Sequence, residues 1–188
     1  MLPTNSTLTS PIYLPALFRP EECQRILSLP SGSGLQAEIG LGALHSQTLD
    51  LETRRTKAFL IAHQQLNPWI YQRLQQFVLT ANQEHYHFDL SFLAPVQALQ
   101  YESDGFYDWH LDLGQGENST RKLSCVVFLS PRESYAGGRL QIESPERELP
   151  QNQGDAVIFP AYLRHRVEPV TQGERWTLVA WAHGQPFR

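Results

Sequence analysis

No apolar run in this sequence approaches the ~20 residues of a transmembrane helix, so no spanning helix is expected. An excess of one charge is also lacking. Fifteen Lys and Arg against 19 Asp and Glu give a net charge of −4. That balance offers no bulk attraction to nucleic acid or to an anionic membrane. Cysteine is scarce, with only Cys23 and Cys125 present. Two cysteines so far apart exclude a disulfide framework and read as free thiols of a reducing, cytoplasmic compartment. Cys125, in the run Leu123-Ser124-Cys125-Val126-Val127-Phe128-Leu129, reads as core. Met1-Leu2-Pro3-Thr4-Asn5 carries no basic region followed by an apolar stretch, so no signal peptide is expected. Internal repeats, low-complexity tracts and linkers are absent.

What is there is ordinary in bulk: 188 residues, 41% hydrophobic and 18% charged. That length suits one domain burying roughly 70% of its unfolded surface. Its first part, about residues 1–91, reads as helical and strand support, and about 92–188 as the core. Tyr13 to Leu17 predicts an edge strand. Pro20 opens a helix through Leu29, with Glu21 and Glu22 in the first turn, where the helix dipole favours negative charge. Ser31-Gly32-Ser33-Gly34 breaks the pattern. A second helix starts at Asn67-Pro68, an N-cap followed by proline at the first helical position. Trp69, Ile70, Leu74, Phe77, Val78 and Ala81 have the spacing of one buried helical face.

From Phe92 the pattern changes to strands. Pro95 to Tyr101, Phe106 to Leu111, Lys122 to Leu129, Arg139 to Ile142, Ala156 to Phe159, His165 to Pro169 and Arg175 to Ala182 are short and rich in β-branched and aromatic residues. Gly, Pro, Asn and Ser separate them. Such strands predict a mainly β fold, a jelly-roll or barrel, with the preceding helices covering one sheet.

Four residues carry the chemistry. His110-Leu111-Asp112 is followed downstream by His165 and then Arg175. On a strand of period two, His110 and Asp112 share a face and Leu111 points into the opposite layer. Two neutral imidazoles and one carboxylate form the facial ligand set of Fe(II), leaving the opposite face open. Arg175 offers a planar, permanently charged fork suited to a carboxylate. Together they point to an Fe(II)- and 2-oxoglutarate-dependent oxygenase. A rival cluster, His85, His87 and Asp89, would share a face if Tyr86 to Leu90 were a strand. No co-substrate anchor accompanies it, and a strand of mixed exposure is the expectation. His45, His63 and His183 have no evident partners. Glu102, Asp104, Asp108 and Glu117 flank the His-x-Asp strand as an acidic rim, usually only a solvated face. Gly137-Gly138 marks a bulge or a turn.

Several segments together resemble the bacterial 2-oxoglutarate/Fe(II) oxygenases of the prolyl 4-hydroxylase superfamily, including the PKHD-type hydroxylases. They are Leu99-Gln100-Tyr101, Tyr107 to Asp112, Arg121-Lys122-Leu123-Ser124, Gly137 to Leu140, Phe159 to Val170 and Gly173-Glu174-Arg175. Phe88-Asp89-Leu90 and Trp181-Ala182-His183-Gly184 extend the likeness. The resemblance implies a double-stranded β-helix with helices on its major sheet. It implies His110, Asp112 and His165 as catalytic iron ligands and Arg175 as partner of the distal carboxylate of 2-oxoglutarate. Tyr101 matches a tyrosine whose hydroxyl approaches the co-substrate, and Trp181 an aromatic position beside the strand of the distal ligand. Many relatives carry tyrosine where this chain has Phe128; Ser124 or Thr177 would substitute. The implied reaction hydroxylates a C–H bond of a peptidyl side chain, proline among them, or of a small molecule. 2-Oxoglutarate and O2 become succinate and CO2, with ascorbate as a common support. The alternatives are a cupin-like metal enzyme not using 2-oxoglutarate and a non-catalytic metal-containing binding module. The oligomeric state is not written in the sequence.

Overall fold

The computed structural model describes residues 6–30, 35–36, 52–61, 66–144 and 148–187. Ser31 to Gly34, His45 and His63 lie outside the described residues. In chain order the elements are β1 (Ile12–Leu14), α1 (Pro20–Leu27), β2 (Leu35–Gln36), β3 (Arg54–Arg55), β4 (Lys57–Leu60), α2 (Pro68–Ala81), β5 (Leu90–Leu93) and β6 (Gln97–Tyr101). Then follow β7 (Phe106–His110), β8 (Arg121–Phe128), β9 (Tyr135–Gly137), β10 (Leu140–Ile142), β11 (Ala156–Pro160), β12 (His165–Val167), β13 (Val170–Gly173) and β14 (Arg175–Gly184).

The strands form two facing sheets and a separate two-stranded pair. The major sheet has eight strands in the order β1-β11-β8-β14-β6-β4-β2, with β5 joined to β14. The minor sheet has the order β10-β12-β7-β3, and β13 pairs β9. This is the double-stranded β-helix. Alternation along the central strand β8 sorts the core into two layers. Leu123, Cys125 and Val127 join Phe18, Ile26, Ile70, Leu74 and Phe77 beneath the helices. Val126 and Phe128 join Leu99, Tyr101, Phe159, Val167 and Val179 between the sheets. All of β8 after Arg121 is buried, as a strand covered on both faces must be.

The helices pack on the outer face of the major sheet. α2 buries Ile70, Tyr71, Leu74, Phe77, Val78 and Ala81, the predicted face with Tyr71 added, while Trp69 is only partly buried. Pro68 takes the first helical position, but the Asn67 side chain does not cap it. α1 ends at Leu27, two positions short of the expected Leu29. Glu22 joins the helices, with Arg73 Nη1 donating to it at 2.6 Å. The edge strand is Ile12–Leu14, not Tyr13 to Leu17, because Ala16 adopts φ 51 and turns the chain away. Cys23 and Cys125 are free and buried.

The segment around His85 is not a strand. Asn82–Tyr86 continues α2 as a π-helical turn, and His87 leaves it with φ 59. Tyr86 fixes this turn, its hydroxyl lying 2.8 Å from the Ser10 carbonyl and 3.0 Å from that of Ile158. His87 and Asp89 are exposed. No helix among the described residues is long and apolar enough to cross a membrane.

Candidate metal centre

β7 and β12 pair so that His110 lies directly opposite His165. The register slips between His165 and Val167, whose partner is Tyr107. The extra residue on β7 is a β-bulge at Asp108 and Trp109. It turns Tyr107 and His110 to the same side of the sheet, although three positions apart. Their rings stack with centroids 3.4 Å apart. The Arg54 guanidinium lies 4.4 Å over the Tyr107 ring.

Asp112 falls just beyond the last residue of β7, in a bend rather than on the strand. Its N–H donates to the Ala161 carbonyl at 3.1 Å. Leu111 between the two ligands is 47% exposed. It does not enter an opposite layer as strand alternation predicts, because the minor sheet's outer face meets solvent and the strand has already ended.

His110, Asp112 and His165 each bring one ligand atom within 4.8 Å of the others, the only such cluster among the described residues. Nε2 of His110 is 3.9 Å from Asp112 Oδ1, and Nε2 of His165 is 3.5 Å from Oδ2. Both Nδ1 atoms face carbonyls, of Asp108 at 2.7 Å and of Leu163 at 3.0 Å. Each carbonyl requires an Nδ1–H, which leaves Nε2 with a free lone pair directed at the common centre. Burial, reinforced by the neighbouring His165 ring, brings the His110 pKa down to about 3, so the ring is neutral near pH 7. Burial alone would raise the Asp112 pKa, but His165, His110, Arg121 and the Ser124 hydroxyl hold it well below the usual carboxylate range. Two imidazoles that present Nε2 and one carboxylate suit Fe(II) better than a thiolate-loving metal.

Arg175 begins β14 opposite Tyr101 on β6. It is 1% exposed. Its Nε, Nη1 and Nη2 atoms are buried and have no hydrogen-bond partner among the described residues. The guanidinium lies between the Tyr101 ring at 5.1 Å and the Phe128 ring at 5.8 Å. A buried guanidinium with no acceptor is a strong demand for an anion. Gly138 makes the space. It has φ +61, and a Cβ there would sit 2.9 Å from Arg175 Cδ. Thr177, buried, faces Leu99 and Phe128 one row along.

Ser124 and Trp181 are opposite each other on β8 and β14, close to the ligand cluster. Ser124 Oγ donates to Asp112 Oδ2 at 2.6 Å. The Arg121 guanidinium covers the Trp181 ring at 4.1 Å and reaches within 4.0 Å of Asp112 Oδ1. The expected acidic rim is dispersed. Glu102 pairs with Lys57 at 2.7 Å, and Asp108 Oδ1 accepts the Trp109 N–H at 2.7 Å. Asp104 and Glu117 are exposed. The charged groups beside the ligands are instead Arg54 and Arg121. Tyr107, Arg54 and Arg121 have no local sequence signal as a group, since only the pairing of β3, β7 and β8 with their partners assembles them.

A double-stranded β-helix with two imidazoles and one carboxylate turned inward defines the facial-triad class of metal sites. Comparison with known proteins shows what the chain is similar to. Residues 96–183 match the model of the 2OG-Fe(II) oxygenase superfamily. Over those residues the chain is similar to members of that superfamily. It is 42% identical over 106 residues to a PKHD-type hydroxylase of Hyphomonas neptunium, covering 52% of this chain and 46% of the relative. A PKHD-type hydroxylase of Crocosphaera subtropica is 34% identical over 119 residues, with coverage of 58% and 54%. The chain thus spans about half the length of the curated relatives it matches. In fold it is similar to a Pseudomonas putida prolyl-4-hydroxylase, TM-score 0.68, 20% identity, covering 92% of each chain. It is also similar to a Trichoplax adhaerens prolyl hydroxylase solved with a hypoxia inducible factor peptide fragment, TM-score 0.76, 12% identity, covering 93% of this chain and 84% of the other.

Proposed function

We propose that this chain is an Fe(II)- and 2-oxoglutarate-dependent hydroxylase acting on a C–H bond of a peptidyl side chain, proline among them, or of a small molecule. The observation that carries the reading is the buried Arg175 guanidinium, its three nitrogens unpartnered among the described residues, beside Tyr101 and Phe128 of the same inter-sheet core whose Phe159 packs on His165 of the His110, Asp112 and His165 cluster. His110, Asp112 and His165 are the metal ligands. Arg175 pairs with the distal carboxylate of 2-oxoglutarate, with Tyr101 beside it and Thr177 one row along. The iron with its co-substrate and O2 supplies the oxidising chemistry, in which R–H, O2 and 2-oxoglutarate become R–OH, succinate and CO2. The chain's own contribution is positioning and dryness. The Asp108 and Leu163 carbonyls hold both imidazoles in the ligating tautomer. Phe128, Phe159 and Val179, buried between the sheets, keep water from the groups beside them.

The helices and both sheets act as one domain over residues 1–188, a reading supported by the core that α1 and α2 share with the major sheet. Two buried free thiols favour a reducing, cytoplasmic location. Ascorbate, which would keep the iron reduced between turnovers, is supported by the family likeness alone. The test is aerobic. Purified protein with Fe(II) and 2-oxoglutarate should release succinate, even slowly without substrate, and His110→Ala should not. Succinate release equal in both proteins would end the proposal.

A further inference from the structure

We infer that Ser124 is a positioning residue of the metal centre, holding Asp112 so that one carboxylate oxygen alone serves the metal, and not a co-substrate residue. The inference rests on the metal reading above. His110 and His165 are fixed twice, by strand pairing with each other and by the carbonyls on their Nδ1 atoms. Asp112 has neither restraint. It lies past the end of β7, and its backbone N–H to Ala161 fixes the chain but not the carboxylate rotation. The Ser124 hydroxyl donates to Asp112 Oδ2 at 2.6 Å, the short distance of a bond to an ionised acceptor. Ser124 is 1% exposed and sits on the central strand between Phe159 and Trp181, so its own position is rigid. An oxygen already bound to a hydroxyl is the poorer donor, which leaves Oδ1 as the ligating atom. A two-oxygen clasp by Asp112 would occupy a position that the co-substrate needs. Arg121 Nη1, 3.4 Å from the Asp112 carbonyl, steadies the same bend.

Distance excludes the other role. Phe128, which borders the Arg175 guanidinium, is four residues along β8 from Ser124, about 13 Å at the rise of a strand. The Arg175 guanidinium and the Ser124 hydroxyl therefore lie towards opposite ends of β8.

The test compares Ser124→Ala and Ser124→Thr with the unaltered protein in two titrations, Mn(II) alone and then 2-oxoglutarate at saturating Mn(II). Calorimetric melting checks the fold of each. Ser124→Ala should weaken Mn(II) binding about tenfold or more, the scale for losing a hydrogen bond to a ligand. Its 2-oxoglutarate affinity at saturating metal should stay within about twofold, and Ser124→Thr, which keeps the hydroxyl, should recover Mn(II) affinity. Unchanged Mn(II) affinity in Ser124→Ala would overturn the inference, as would a loss confined to 2-oxoglutarate. If the unaltered protein binds no Mn(II), the metal reading fails first, and the inference with it.

Discussion

Replacing Arg175 by methionine separates a ligand-binding arginine from a structural one. In the free protein the guanidinium is 1% exposed, stacked between Tyr101 and Phe128, and its nitrogens have no acceptor among the described residues. Burying an unpaired charge opposes folding. Methionine fills similar space without that penalty, so Arg175→Met should melt no lower than the unaltered protein when 2-oxoglutarate is absent. With 2-oxoglutarate the order reverses. Breaking a buried charge pair costs about 2–5 kcal/mol, equivalent to roughly thirty-fold to several thousand-fold in Kd at 1.4 kcal/mol per tenfold. Co-substrate at a hundred times its Kd stabilises the unaltered protein by about 2.7 kcal/mol, and the same concentration should leave the variant nearly unshifted. Titration calorimetry on Mn(II)-loaded protein, paired with melting curves, reads both effects. Two outcomes would refute the reasoning: co-substrate affinity within threefold of the original, or a large loss of stability in the free variant. The second would make Arg175 a structural residue.

Gly138→Ala places a methyl group 2.9 Å from both Arg175 Cδ and Val170 Cγ2 at φ +61. It should cost about 1–3 kcal/mol by denaturant unfolding, and it should also weaken 2-oxoglutarate binding by displacing the guanidinium. Glu22 is held at a pKa of about 2, against an ordinary 4.5, chiefly by the hydrogen bond from Arg73 and then by the Arg19 N–H. A lowered carboxylate pKa stabilises the protein fully above about 4.5 and loses that contribution as pH falls towards about 2. Glu22→Gln should therefore destabilise by about 1 kcal/mol at pH 7, with the gap to the unaltered protein closing across that acid window in melting experiments. His85→Ala should leave Mn(II) binding unchanged while His110→Ala abolishes it, since only the latter belongs to the cluster.

The central strands β8, β11 and β14 were legible because they are largely apolar runs buried on both faces. The helix at Pro68 announced itself by proline at its first position and a 3.6-residue stripe. The short strands β3 and β9 were not legible, because two or three residues become a strand only when a distant partner, here β7 or β13, accepts their hydrogen bonds. The grouping of His110, Asp112 and His165 could be anticipated from ligand type. The bulge that brings Tyr107 alongside His110 could not, because it inverts the alternation on which the reading depends. Leu111 and the His85 turn were misplaced for the same reason: a period of two was extended past where the strand ends or before it begins. Ser124 was expected near the co-substrate carboxylate. Its contact with Asp112 follows from the β8 register and the bend after β7, and neither is encoded locally.

The most direct test is an anaerobic titration of the metal-free protein with Fe(II) and then 2-oxoglutarate, followed by its weak visible charge-transfer absorption. The account predicts a band that appears only with both components, vanishes in His110→Ala and needs far more 2-oxoglutarate in Arg175→Met. Iron demonstrably bound with no band at any 2-oxoglutarate concentration would contradict it.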